Sequence, residues 1–141
     1  MTIPPSIRYL TANEVWAIDD IVLRREGGSS LLRDRGVLES AIMRPQMAAH
    51  YEQADIVTQA ALLIAGIALA HPFLDGNKRT AAIAGATFLD LNGYLIDVTS
   101  KDDAFGRQIE TLVTQHEDLD AGTVQFAQWL RSVVIPKPSS P

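Results

Sequence analysis

The run from Asp55 to Ala70, DIVTQAALLIAGIALA, is apolar on nearly every side, and it constrains the fold more than any other stretch. A helix without a polar face has to sit among other elements that cover it. The run is too short and too alanine-rich to span a bilayer, and Thr58 and Gln59 interrupt it. It therefore predicts the central helix of a helical protein. A chain of 141 residues is long enough to bury such a helix within one domain.

The flanking sequence supplies the cover. Thr11 stands three residues before Glu14, the spacing of a capping box, and opens a helix whose apolar face is Val15, Ile18, Val22 and Trp16. Gly27-Gly28-Ser29-Ser30 stops it. The stretch Gly36 to Pro45 predicts a short second helix, with Val37, Leu38, Ala41 and Ile42 at helical spacing and Pro45 as its limit. From Gln46 to Asp55 the pattern lapses, which reads as a connecting segment or a small flap. Thr80 to Gly93 is again strongly apolar and ends in Asn92-Gly93, a left-handed helix stop. Ala65 and Gly66 on the central helix, with Ala84 and Gly85 here, predict a close approach of these two helices. Tyr94 to Val98 reads as a brief extended piece. Two more helices are expected at Asp102 to Thr114 and Ala121 to Val134, the latter using Val124, Ala127, Trp129 or Leu130, and Val133. Pro136 to Pro141 reads as a frayed tail. The sum is an all-α bundle of about six helices in a single domain, residues 1–141.

Charge and composition narrow the function. Lys and Arg total 12 against 17 Asp and Glu, a net charge of -5, which argues against DNA or RNA as the main partner. The absence of cysteine removes disulfides, thiolate metal sites and thiol catalysis, and suits a reducing compartment. The opening MTIPPSIRYL carries no secretory pattern, so the expected location is the cytoplasm, with no membrane contact. His50 and His116 read as surface or helix-end residues, Trp16 and Trp129 as core, and Lys101 to Asp103 as a solvated helix start. Arg33-Asp34-Arg35 reads as a turn paired with a neighbouring acid, or as arginines lining the approach to a site.

The chemistry concentrates in His71-Pro-Phe-Leu-Asp-Gly-Asn-Lys-Arg79. His71 precedes a proline, which pushes it out of the helical region and ends the central helix there. Phe73 and Leu74 are apolar anchors for the loop, and Asp75-Gly76 turns the chain. Gly76 lets backbone come close to a ligand. From Asn77 a helix begins, and its first N–H groups lack partners, which makes an anion site. Lys78 and Arg79 sit where the helix dipole disfavours cations by about 0.3–1 kcal/mol each. A bound polyphosphate reverses that sign. Asp75 suits Mg²⁺, which takes one or two carboxylates beside phosphate oxygens, and a neutral His71 suits proton removal from an acceptor hydroxyl. Each residue alone has a structural reading: His71 as a helix end bonded to backbone, Asp75 or Asn77 as an N-cap, Lys78 and Arg79 as solvated or paired charges. Their coincidence within nine residues favours phosphoryl or nucleotidyl transfer.

The same residues resemble the signature of the Fic/Doc superfamily, His-x-Phe-x-Asp/Glu-Gly-Asn-Gly/Lys-Arg with a further Arg three positions on. The chain is most similar to the death-on-curing (Doc) toxin branch, a similarity that extends to Tyr9-Leu-Thr-Ala-Asn-Glu14, to Arg33-Asp-Arg-Gly-Val-Leu-Glu-Ser-Ala41 with Arg44-Pro-Gln46, and to Thr80-Ala-Ala82. The resemblance implies an all-α fold with the motif loop joining two central buried helices, ATP as donor, Mg²⁺, and transfer to a protein hydroxyl. It implies His71 as the base, Asp75 as the metal-binding acid, Gly76, Asn77, Lys78 and Arg79 as the phosphate-binding loop, and Phe73 as the loop's anchor. The second Arg of the adenylylating members would fall at Ala82, and Lys78 stands where those members usually have Gly. Both features are similar to the Doc branch, which implies transfer of the γ-phosphate to elongation factor Tu and inhibition of translation. Gly76 matches the adenylylating members, so AMP transfer is the alternative; a non-catalytic binding domain fits less well, because every motif position is filled. The superfamily's inhibitory string, Ser/Thr-x-x-x-Glu-Gly/Asn, is absent, since Val22 stands at the required place before Glu26-Gly27. That implies a small antitoxin supplied in trans.

Overall fold

A computed structural model describes residues 6–97, 103–115 and 119–138. The readings made for residues 1–5, Val98, Lys101, Asp102, His116 and residues 139–141 lie outside these. Within them the fold is all-α with one small sheet: α1 (Ala12–Arg25), α2 (Arg35–Glu52), α3 (Ile56–Ala70), α4 (Asn77–Leu91), β1 (Tyr94–Ile96), α5 (Ala104–Thr114), α6 (Leu119–Val133) and β2 (Val134–Pro136). None of these helices is long and apolar enough to cross a membrane.

α3 is the axis. It is buried from Val57 to Ala68 except at Thr58 and Leu62, which are half-buried on one face, and it packs against α2, α4, α5 and α6. Asp55 caps its start by accepting from Thr58 N–H at 2.8 Å. Gln59, the polar interruption, is buried and satisfied: it accepts from Tyr9 Oη at 2.8 Å and donates to the Ala54 carbonyl at 2.9 Å. α1 begins at the expected capping box and ends before Gly27, whose φ of 83° is the left-handed turn a glycine permits.

α2 departs from expectation. It runs through Pro45 to Glu52, so Pro45 is not its limit and residues 46–52 are neither connection nor flap. Leu38, Ala41, Ile42, Pro45 and Ala48 form one buried face at helical spacing, and this burial outweighs the hydrogen bond the proline removes. Gln53, with φ 51°, ends the helix. The irregular segment that does lie over the motif loop is 31–34. Arg33 and Asp34 N–H donate to the Pro72 carbonyl, and Leu74 N–H donates to the Leu31 carbonyl.

The small residues serve two interfaces rather than one. A Cβ on Gly85 would fall 2.3 Å from Ile64 Cδ1, so Gly85 admits α3 to α4. A Cβ on Gly66 would fall 3.0 Å from Ala41 Cβ, so Gly66 admits α2. On α6, Leu130 is the core residue and Trp129 is half-buried beside Phe105 and Phe126; Val124, expected on the apolar face, is 56% exposed. β1 pairs antiparallel with β2, Tyr94 opposite Pro136, and Lys137 N–H donates to the Gly93 carbonyl. The chain end is thus held at least to Lys137, where the sequence suggested fraying from Pro136.

Candidate functional site

The loop between α3 and α4 is built by capping at both ends. Arg33 donates through Nε to the His71 carbonyl at 2.5 Å and through its terminal nitrogen to the Ala70 carbonyl at 2.8 Å. These are the orphan carbonyls of the last turn of α3. Arg33 therefore pairs with a helix end, not an acid, while Asp34 caps α2 and Arg35 pairs with Glu39. His71 closes α3 in the left-handed region, φ 53°, ψ 61°, outside the right-handed helical region as the pre-proline position led one to expect. Only His71 and Gln53 have positive φ among the described non-glycine residues. Such strain persists only where surrounding bonds impose it, and Arg33 supplies them. The ring of His71 is exposed, and nothing among the described residues hydrogen-bonds it.

Phe73 is buried and anchors the loop as expected, whereas Leu74 is 62% exposed and lies at the cavity instead of in the core. Asn77 closes the turn: its Oδ1 accepts from Phe73 N–H at 3.0 Å and its Nδ2 donates to the Phe73 carbonyl at 2.9 Å. Its side chain is committed to shaping the loop, which leaves its backbone N–H for a ligand. Asp75, exposed, accepts from Gly76 N–H at 2.7 Å. Gly76 is the N-cap of α4 with φ 79°, and no side chain caps the helix. The first-turn N–H groups of α4 thus face outward without a side-chain partner.

Beneath Gly76 lies Asp19 of α1, fully buried, accepting from Ser30 Oγ at 2.5 Å and Thr80 Oγ1 at 2.8 Å. Burial pushes its carboxyl above the usual carboxylate range; the two hydroxyls offset this in part, and the charges of Asp75 and Asp20 add to it. The sequence reading passed over Asp19, because its partner Thr80 is remote in the chain.

His71, Asp75, Gly76, Asn77, Lys78 and Arg79 all line one cavity of about 680 Å³. Its opposite wall is α5, through Asp103, Phe105, Gly106, Ile109 and Glu110. Lys78 Nζ lies 2.6 Å from Glu110 Oε2, and Arg79 pairs with Glu26 at the end of α1. All four side chains are half exposed, where such pairs are worth roughly 0–1 kcal/mol, so a stronger anion can replace the glutamates. A second groove of about 640 Å³, between α2 and α6 past Met47, Tyr51 and Val124, lies away from the loop. No cluster of three metal-ligating side chains exists among the described residues. Asp75 lines the cavity as an exposed carboxylate, a ligand of the kind Mg²⁺ takes beside phosphate oxygens and water.

Comparison with known proteins bears on the family of the chain. The family model described as the Fic/DOC family matches residues 9–89, a span that contains the whole loop. The chain is 32% identical over 121 residues to the "Toxin Doc" of Mycolicibacterium smegmatis, covering 84% of this chain and 91% of that one. It is 34% identical over 91 residues to the "Protein kinase doc" of Escherichia phage P1, covering 64% of this chain and 72% of that one.

Proposed function

We propose, from the premise that the chain belongs to the Fic/DOC family, that it is a Doc-like toxin of a type II toxin–antitoxin system. In this reading it is a Mg²⁺-dependent protein kinase that transfers the γ-phosphate of ATP to a hydroxyl of a translation protein, elongation factor Tu or its like, and a small antitoxin restrains it in trans. The names of two similar proteins, a Doc toxin and a protein kinase, support the class. The observation that carries the finer reading is the cavity wall on α4: Lys78 and Arg79 line it, and one turn on it is lined by Ala82. The phosphate hold is thus concentrated at the helix N-terminus, with no further cation lining the cavity among the described residues. Gly76, the feature shared with adenylylating members, has a local cause. A Cβ there would meet Asp19 Oδ1 at 2.8 Å and Leu23 Cδ2 at 3.3 Å, and its φ is left-handed. It is required by packing whichever group is transferred.

The chemistry follows from the placement. The ring of His71, which has no hydrogen-bond partner among the described residues, accepts the proton of the acceptor hydroxyl as that oxygen bonds to the γ-phosphorus. The bond from the γ-phosphorus to the bridging oxygen breaks, and ADP leaves. The uncapped N–H groups of α4, with Lys78 and Arg79, stabilise charge on the transferring group. For the donor to bind, its phosphates displace Glu110 and Glu26 from these two cations. Mg²⁺ held by Asp75 would supply further neutralisation of the phosphates. The test is intact-mass analysis of cellular proteins after induction: the reading expects a phosphate gain on a translation protein, and an AMP gain instead would replace it with adenylylation.

A further inference from the structure

Asp19 takes no part in the steps above, yet it is the only fully buried charged residue among those described. A buried carboxylate is costly unless compensated, and an apolar side chain would fill this position without that cost. Its compensation is two hydroxyls, Ser30 and Thr80, and no lysine, arginine or histidine pairs with it among the described residues. These donors come from opposite sides of the motif loop. Ser30 leads into residues 31–34, which hydrogen-bond the loop at Pro72 and Leu74. Thr80, fully buried, ends the first turn of α4, where its N–H makes the bond to Gly76 that starts the helix. Gly76 itself lies against the carboxylate, too near for any side chain.

We propose that Asp19 is a positioning residue of the phosphate site: through Thr80 and Gly76 it holds the first turn of α4 so that the N–H groups, Lys78 and Arg79 converge on one polyphosphate, a role that rests on the nucleotide reading above. It touches no reacting atom. Its effect falls on donor binding and not on proton transfer at His71, which is held separately by Arg33.

The experiment is calorimetric titration of magnesium ATP into the full chain and into Thr80→Val, Thr80→Ser and Asp19→Asn, each first checked for folding by circular dichroism and melting. Thr80→Val keeps the shape and removes the donor, and should bind roughly tenfold more weakly, as loss of a hydrogen bond to a charged group gives. Thr80→Ser keeps the hydroxyl and should bind as wild type does. Asp19→Asn should weaken binding as Thr80→Val does, and the double variant should be no weaker than the weaker single one. In turnover, KM for ATP rises by the same factor while kcat stays within about twofold. Wild-type affinity in folded Thr80→Val and Asp19→Asn would overturn the inference, as would a loss in Thr80→Ser as large as that in Thr80→Val. If Asp19→Asn does not fold, the two Thr80 variants decide alone. A wild-type chain that does not bind magnesium ATP would overturn the nucleotide reading, and this inference with it.

Discussion

His71 has its backbone carbonyl held by Arg33 and a ring without a hydrogen-bond partner among the described residues, which suits the proposed role of general base. The αL conformation is held by Arg33 from outside the loop, so replacing the imidazole disturbs little packing. His71→Ala should lower phosphate transfer by about 10²–10⁴-fold, the usual worth of a base, while its melting temperature stays within a degree or so of wild type. Activity assays beside thermal melts check both halves. Glu110 supplies a second test. It occupies Lys78 in the free protein, so Glu110→Gln should bind ATP more tightly, by roughly two- to fivefold for a half-exposed pair; weaker binding would mean that the glutamate helps to hold the donor. At this scale the six loop residues were legible as a group because they are compressed into one stretch, and they line one cavity. The partners Glu26 and Glu110, and Asp19 beneath Gly76, were hidden, since a carboxylate on a distant helix carries no local sign of what it will face. The alternative reading of Lys78 and Arg79 as paired charges also holds in the free protein.

Between helices, glycine sets the spacing. Gly66 faces Ala41, including its Cα at 3.2 Å, so an added methyl meets backbone that cannot rotate away. Gly66→Ala should cost about 1–3 kcal/mol by overpacking, seen as a lower urea midpoint. Most helix starts and stops were legible from Thr11, Asp55, Gly27 and Gly93, each a residue with a specific backbone role. Pro45 misled, because a proline's local penalty of roughly 3 kcal/mol was read as decisive, and the apolar face continuing to Ala48 overrode it. For the same reason residues 46–55 read as a connecting segment or a small flap, whereas only 53–55 connect α2 to α3. The β1–β2 pair was half legible: Tyr94 announced one strand, but a three-residue partner at the chain end has no periodicity to detect.

The molecule closes by tying its late elements to the central helix. Arg131 of α6 reaches the N-cap of α3, with Asp55 Oδ2 at 2.9 Å and Thr58 Oγ1 at 3.1 Å. Burial alone would raise the Asp55 carboxyl, but the hydrogen bonds from Thr58 and the charge of Arg131 outweigh it, and the net position is below the usual carboxylate range. A carboxyl held low in the folded state stabilises above its ordinary value, and that contribution is lost as pH falls through the lowered one. Wild-type stability should therefore fall more steeply than that of Asp55→Asn on acidification, the two urea midpoints converging at the acid end. One cavity gathers the ends of three elements, with α3 ending before His71, α4 starting at Asn77 and α5 facing both. The central claim is that this cavity moves the γ-phosphate. The most direct measurement is incubation with purified elongation factor Tu and ATP labelled at either the α- or the γ-phosphate. The account predicts label on the protein from the γ position alone, and none with His71→Ala; label from the α position alone would contradict it.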